Sequence, residues 1–470
     1  MRKSILFSAL FAGVLMAAGI NANAAEKAKV KPIPPVKFQG KDFFPLGVYD
    51  LARSNAPGHR RLGDVDPVLY DCGVNAAFFG HLSMPGNKQY PGYSHIAKAF
   101  ERAKKDPRFA NIALIINFEA DVMCVLDETL KGKASRNYRP LNAEEIEARK
   151  AFLAEAFQYL AKQPNVIGYS FDEPENTFTN YFKTVAPNAD LNNRIGYALQ
   201  EYLGWLYPLI RENHPGALAL PIIAWWGTYK DVAPLYDVLI ANQYPRSDDK
   251  SEFAAGLYEV SYDAARAVTA ARVAGGGRSV IYMPPAFDRL NNKWNYATRK
   301  EMRYMYFAPI TRGVMGLIGW RLNRCSQEYR DTVVYPTLKE ISRFKEFYLG
   351  SWHDELVSSN RDTATADYLK KFAVRDELLT DVTVGNKVEV YDFVPDVSYC
   401  LRKRNDGTYM LLVVNNRREA QSVELTVDLP DMPAEVNEAL NDRAVKVENN
   451  VIKDQLDPFG VHIYLFKTGK

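Results

Sequence analysis

The chain is poor in cysteine: Cys72, Cys124, Cys325 and Cys400 are the only four in 470 residues, and no two form a C-x-x-C pair. That spacing excludes the common zinc and dithiol redox motifs. Export would permit a disulfide, but spacing alone does not pair the four, and buried free thiols are the plainer reading. The six histidines (59, 81, 95, 214, 353 and 462) are scattered, with no H-x-H and no H-E-x-x-H. Metal-dependent hydrolysis therefore lacks its ligand pattern, and no metal or other cofactor is expected. There is no G-x-S-x-G elbow of the kind that carries a nucleophilic serine. Gly275-Gly276-Gly277 precedes a strand instead of following one, so it reads as a turn and not as a phosphate cradle.

Neither sign of charge dominates: 59 Lys and Arg stand against 56 Asp and Glu. The formal net charge is +3, and it falls to +1 if Arg2 and Lys3 are removed with a leader. A near-neutral chain has no electrostatic footprint for nucleic acid. Beyond residue 24 no apolar run is long enough to cross a bilayer.

The leader itself is distinctive. Arg2 and Lys3 are followed by the apolar run Ile5 to Ile20 and by Ala22-Asn23-Ala24, the basic, apolar and small-residue order of an export signal. The expectation is a cleaved signal over 1–24, an extended leader over 25–42, and a periplasmic or secreted protein without membrane insertion. The remaining length suits two domains.

Eight short, almost continuous apolar runs follow: Pro45–Tyr49, Val74–Phe79, Ile112–Phe118, Val166–Phe171, Leu218–Trp225, Val238–Gln243, Ser279–Met283 and Val314–Trp320. Runs of this kind fit strands buried on both faces of a parallel sheet. Helical patterns separate most of them, over Ala143–Lys162, Asn193–Asn213, Glu252–Val273, Asn295–Thr311 and Thr332–Tyr348. Gly227–Asp237 is too short for a full helix and contains Pro234. The count and length predict a (β/α)8 barrel over 43–350. A doubly wound open sheet is the rival fold, but its Gly-rich first turn is absent after the first strand, where Asp50-Leu51-Ala52-Arg53 stands. From 351 to 470 the texture alternates: Val388–Tyr391, Tyr399–Arg404 running into the turn Asn405-Asp406-Gly407, then Tyr409–Asn415, Ser422–Leu429 and Val461–Phe466. This predicts a C-terminal antiparallel β-sandwich. Ser358–Leu379 supports no assignment.

The fourth barrel strand ends in Asp172-Glu173-Pro174-Glu175. Carboxylates at the C-terminal end of a barrel strand stand where barrel enzymes keep their chemistry, and each must be solvated or paired. The alternative for Glu173 is a structural acid that pairs with an arginine or starts the next helix. With Phe44-Pro45-Leu46-Gly47-Val48-Tyr49 and Asp71-Cys72-Gly73-Val74-Asn75, this run resembles the glycoside hydrolases of the large (β/α)8 superfamily known as clan A. The resemblance implies an oligo- or polysaccharide substrate, with Glu173 as proton donor and Asp172 in the neighbouring position. It also implies a nucleophilic Glu at the end of strand seven. Here that strand runs Ile281-Tyr282-Met283-Pro284-Pro285-Ala286-Phe287-Asp288, with no Glu. Asp288 and Glu119 are the candidates for the second carboxylate, and Asp50 is a third. The missing Glu keeps open a barrel that binds carbohydrate without cleaving it.

Aromatic residues gather at the expected strand ends: Tyr49, Trp225, Trp226, Tyr244 and Trp320. Such side chains can pack on the C–H face of a sugar, or simply fill the core. The resemblance makes Trp320 a sugar platform. Arg321 and Arg324 could meet a substrate carboxylate or sulfate, or pair internally. His81 could donate to a sugar hydroxyl or serve as an ordinary structural histidine.

Overall fold

The computed structural model describes residues 32–49, 51, 65–88, 92–131, 137–185, 187, 191–224, 226–245, 256–288, 297–362 and 394–469. The expected signal over 1–24, the first part of the leader (25–31), Asp50, Trp225 and Val388–Tyr391 lie outside these residues, as does the side chain of Trp226.

Eight parallel strand positions build the first domain: β1 (Leu46–Val48), β2 (Ala76–Leu82), β3 (Ala113–Phe118), β4 (Val166–Phe171), β5 in two pieces (Leu218–Ala219 and Ile222–Ile223), β6 (Val238–Ala241), β7 (Ser279–Tyr282) and β8 (Leu317–Gly319). β8 pairs back onto β1. The two pieces of β5 close the ring, since the first pairs with β4 and the second with β6. A bridge between Asp172 and Ile222 joins β4 to the second piece directly. All eight expected runs carry a strand, and the fold is a (β/α)8 barrel followed by a β-domain. Helices Ala143–Leu160, Leu191–Asn213, Glu259–Ala274 and Arg299–Thr311 fall on the expected patterns. The β5–β6 connection is broken into single turns over Trp226–Leu235.

Period-two alternation decides which side chains enter the barrel. Ala113 and Ile115, Val238 and Ile240, Ile281 and Met283, and Ile318 form the interior cluster. Leu114 and Ile116, Leu239 and Ala241, Val280 and Tyr282, and Leu317 face the helices. Each fully buried aliphatic side chain contributes on the order of 1.5–3 kcal/mol. Gly168 on β4 has no room for a side chain, because a Cβ there would stand 2.1 Å from the carbonyl oxygen of Leu218. β4 and β5 can therefore approach closely only with glycine in this place.

Two features differ from the sequence reading. Within the stretch expected to be extended, Val36–Phe38 and Lys41–Phe43 form an antiparallel hairpin, and Val36, Phe38 and Phe43 pack against the interior cluster. β2 runs on past Phe79 to Leu82, because Gly80 at φ 82° allows a register shift between Phe78 and His81 without breaking the pairing with β3. The triple glycine turns the chain as expected: all three residues have positive φ directly after the helix ending at Ala274. The four cysteines are free and buried.

The second domain is an antiparallel sheet folded over its own core. Its strands are β9 (Ser351–Trp352), β10 (Val357–Ser359), β11 (Val397–Lys403), β12 (Tyr409–Asn415), β13 (Gln421–Val427), β14 (Glu435–Glu438), β15 (Arg443–Glu448), β16 (Val451–Leu456) and β17 (Val461–Phe466). The spatial order is β9-β11-β12-β17-β14-β15-β16-β13-β10. Leu411 and Val413 point into the sandwich core, whereas Met410, Leu412 and Val414 join the core shared with the barrel. This is why Tyr409–Asn415 is apolar throughout: both of its faces are covered. Helix Arg299–Thr311 supplies the barrel side of the contact, and Tyr304 Oη donates to Asn416 Oδ1 at 2.8 Å.

Candidate active site

The alternation that fills the barrel also chooses what reaches its mouth. On β4, Tyr169 and Phe171 face the helices, so the register sends Ser170 and Asp172 inward. Asn117 continues the inward set of β3, Asn242 that of β6 and Trp320 that of β8. Of these, Asn117 and Asp172 border, with the ends of β1 and β2, a cleft of about 390 Å³. Tyr49, His81, Glu119, Asp172, Arg321 and Arg324 line it, among others.

A hydrogen-bond relay crosses its floor. Asn117 Nδ2 donates to Tyr49 Oη at 2.9 Å, and Tyr49 Oη donates to Asp172 Oδ2 at 3.2 Å. Burial, and next the Asp172 charge, push the Tyr49 phenol well above its ordinary range, so it stays a donor. The other oxygen, Asp172 Oδ1, is buried and accepts from no protein group among the described residues. An ionised oxygen buried without a donor is costly, and a proton placed on it removes the cost. Asp172 keeps part of its surface open to the cleft, yet burial is the largest influence on it and raises its pKa. The Arg321 charge, the Tyr49 hydrogen bond and His81 oppose that rise, and Glu119 adds to it.

Glu119 leaves β3 one residue after Phe118, and its Oε1 lies 2.8 Å from His81 Nδ1. Both side chains are about 30% exposed (His81 29%, Glu119 30%), so the pair is open to whatever enters the cleft. Glu173 takes another direction. It adopts left-handed backbone angles, φ 46° and ψ 60°. Its Oε1 accepts from Asn242 Nδ2 at 2.7 Å and its Oε2 from Asn176 Nδ2 at 2.6 Å. It is not among the residues that line this cleft. Glu175 is fully buried and accepts from the backbone N–H of Ala224.

Asp288 is taken up elsewhere. Its Oδ1 accepts from Ser326 N at 2.8 Å, and its Oδ2 accepts from Ser326 Oγ. It thus ties the loop after β7 to the loop after β8, and the structure gives it a tethering task. The aromatic residues assemble beside the cleft: Trp320 stands 5.3 Å from Tyr244, 5.5 Å from Phe287 and 6.5 Å from Tyr49, centroid to centroid. The Arg321 guanidinium lies 4.5 Å over the Trp320 ring. Burial, and then the Glu173 and Asp172 charges, raise the pKa of Tyr244.

Sequence reasoning did not single out Asn117, Asn176 or Asn242. The strand parity of Asn117 and Asn242 carried the signal. Among the described residues no group of three or more His, Cys, Asp or Glu side chains could hold a metal ion. No helix among them is long and apolar enough to cross a membrane.

No protein-family model and no curated protein matches the sequence. Solved structures do share the fold. An α-amylase from Anoxybacillus aligns at TM-score 0.50 and 12% identity, over 91% of this chain and 97% of the other. The α-amylase of Geobacillus thermoleovorans, in complex with acarbose, aligns at 0.51 and 12% over 91% and 99%. A GH27 β-L-arabinopyranosidase from Geobacillus stearothermophilus aligns at 0.51 and 9% over 93% and 97%. At these identities the likeness is one of fold, and it extends across both domains.

Proposed function

We propose that this chain is an exported glycoside hydrolase that cleaves an oligo- or polysaccharide at the C-terminal mouth of its barrel. The observation that carries the proposal is that Asp172 and Glu119 line one cleft, and that burial holds the Asp172 carboxyl above its ordinary range. Two carboxyl groups in different environments are the working pair of glycoside hydrolysis. Asp172 gives its proton to the glycosidic oxygen as the bond to the anomeric carbon breaks. Glu119 attacks that carbon or takes a proton from the attacking water. Glu173, the donor implied by the resemblance, is the neighbouring carboxyl and the alternative acid. The reaction consumes only water, so no cofactor enters. The aromatic group around Trp320 gives a sugar ring a face to pack on. The fold shared with the amylases and the arabinopyranosidase supports the reading, and the basic, apolar, small-residue start of the chain supports export.

The test is release of reducing sugar from a panel of polysaccharides by the wild type and by Asp172→Asn and Glu173→Gln. Loss of at least about a hundredfold in the Asp172 variant alone assigns it the proton. The same loss in the Glu173 variant alone moves the proton one residue on. Full activity in both overturns carboxylate catalysis at this strand end.

One observation favours a second reading, a carbohydrate-binding barrel without turnover. The strand-seven Glu is absent, and Asp288, the nearest carboxylate, is engaged by Ser326. Retention of glycans with no sugar released from any of them would select that reading.

A further inference from the structure

Arginines in this protein are commonly matched to a carboxylate: Arg139 to Glu145, Arg303 to Glu340, Arg402 to Asp354 and Arg417 to Asp396. Arg321 and Arg324 are not. Both line the cleft, and among the described residues neither has a carboxylate oxygen within 4.0 Å. Arg321 Nε is buried without a hydrogen-bond partner. Its backbone is held at φ 60°, ψ 43°, in the left-handed region that non-glycine residues rarely occupy. The loop keeps that angle while the guanidinium of Arg321 stands over the Trp320 ring, 4.5 Å from its centroid. The Arg321 charge is felt at Asp172, where it opposes the effect of burial, but no contact ion pair closes between them. A fixed guanidinium over an aromatic face, with an exposed second guanidinium three residues along the same loop, is a fork for a planar or tetrahedral anion.

We infer that the cleft takes a glycan bearing an anionic group, a uronate carboxylate or a sulfate ester, held by Arg321 and Arg324. The inference rests on the reading of the cleft as a glycan site and names its substrate class. The anion sits on the β8 side of the cleft, across from Glu119 and His81 on the β2–β3 side. A sugar between them presents its charged substituent to the arginines and its ring face to the Trp320 group. Neutral sugars leave both guanidiniums without a partner there.

The experiment compares sugars that differ only in the charged group. Glucuronate and galacturonate are titrated against glucose and galactose, and the 6-sulfates of the same two hexoses form a third arm. Binding is followed by ligand-observed NMR and calorimetry, together with an array of neutral, uronate and sulfated oligosaccharides. The expected result is binding of at least one acidic class about tenfold or more tighter than its neutral twins. The preference should collapse in Arg321→Gln and weaken in Arg324→Gln, each shown to be folded by its thermal transition. The uronate and sulfate arms identify which anion is meant. Equal or tighter binding of the neutral twins overturns the inference and leaves the glycan reading standing, as does an acidic preference that survives in the double variant. If the wild type retains no glycan of either kind, both fall together.

Discussion

Asn242 Nδ2 stands 2.7 Å from Glu173 Oε1, so the end of β6 grips the end of β4 across the intervening β5. The bond holds a residue in a conformation it would not adopt alone. Left-handed angles on a side chain other than glycine cost roughly 1–2 kcal/mol. A hydrogen bond to a charged acceptor returns about 1.5–3 kcal/mol, and Asn176 adds a second donor on the other oxygen.

Replacing Asn242 by alanine should therefore lower stability by about 1.5–3 kcal/mol. Urea denaturation measures it directly. Asn242→Asp should cost more, because it sets a second carboxylate against Glu173 in a site only 2% exposed. A midpoint unchanged by both substitutions would show that Glu173 holds its backbone angles without this partner.

Asp172 gives a dependence on pH whose sign is fixed by the raised pKa. In the folded protein the carboxyl keeps its proton to higher pH than in the unfolded chain, where the ordinary value of 3.8 applies. Above 3.8 the folded state binds more of this proton than the unfolded state, so stability falls as pH rises through the folded pKa. Asp172→Asn removes that loss. The variant should be more stable than wild type at neutral pH, and the difference should shrink towards pH 4. Thermal transitions across this range decide it, and a stabilisation that is equal at every pH would contradict the raised pKa.

The same group predicts a kinetic shift. If Asp172 is the proton donor, activity falls on the alkaline side as it ionises. Tyr49 Oη donates to Asp172 and holds its pKa down. Tyr49→Phe removes that donor, so the alkaline limb should move to higher pH. Arg321→Gln should move it the same way, through loss of a positive charge. A limb displaced to lower pH in either variant would break the assignment.

The barrel was legible because its strands are buried on both faces, which leaves eight apolar runs that few other folds produce. Gly80 and His81 hid the end of β2, since a glycine before a polar residue reads as a loop, whereas here the glycine makes a bulge. The site was legible to the level of the strand end. That Asp172 lines the cleft and Glu173 does not follows from the parity of β4, visible in the sequence as small residues Gly168 and Ser170 alternating with Tyr169 and Phe171. Nothing in the sequence marked Asp288 as a tether, because its partner Ser326 lies 38 residues away. The match of Arg321 to Trp320 depends on a left-handed turn that sequence patterns do not announce.

Asp288 separates a structural from a chemical role. Both its oxygens accept from Ser326, which joins the loops after β7 and β8. Asp288→Ala should cost about 1–3 kcal/mol of stability, since a backbone N–H and a hydroxyl lose their acceptor. Ser326→Ala should cost about half as much, because the backbone bond survives. Turnover per folded molecule should stay within about tenfold of wild type, against the far larger loss expected for a catalytic carboxylate. A near-complete loss of turnover with an unchanged melting temperature would return Asp288 to the chemistry.

The two domains should unfold together. Tyr304 on the barrel helix Arg299–Thr311 donates to Asn416 Oδ1, and Asn416 Nδ2 donates in turn to Pro395 O and Ser398 Oγ, each at 2.8 Å. Phe459 packs edge-on against the Tyr304 ring at 5.0 Å, and β12 gives one whole face to the shared core. Tyr304→Phe keeps the ring contact but leaves a buried amide oxygen without its donor, at about 1–3 kcal/mol. Calorimetry should show one transition in the wild type and the same single transition, at lower temperature, in the variant. Two resolved transitions in the wild type would mean that the shared face contributes little to stability, and that β12 folds against the sandwich core alone.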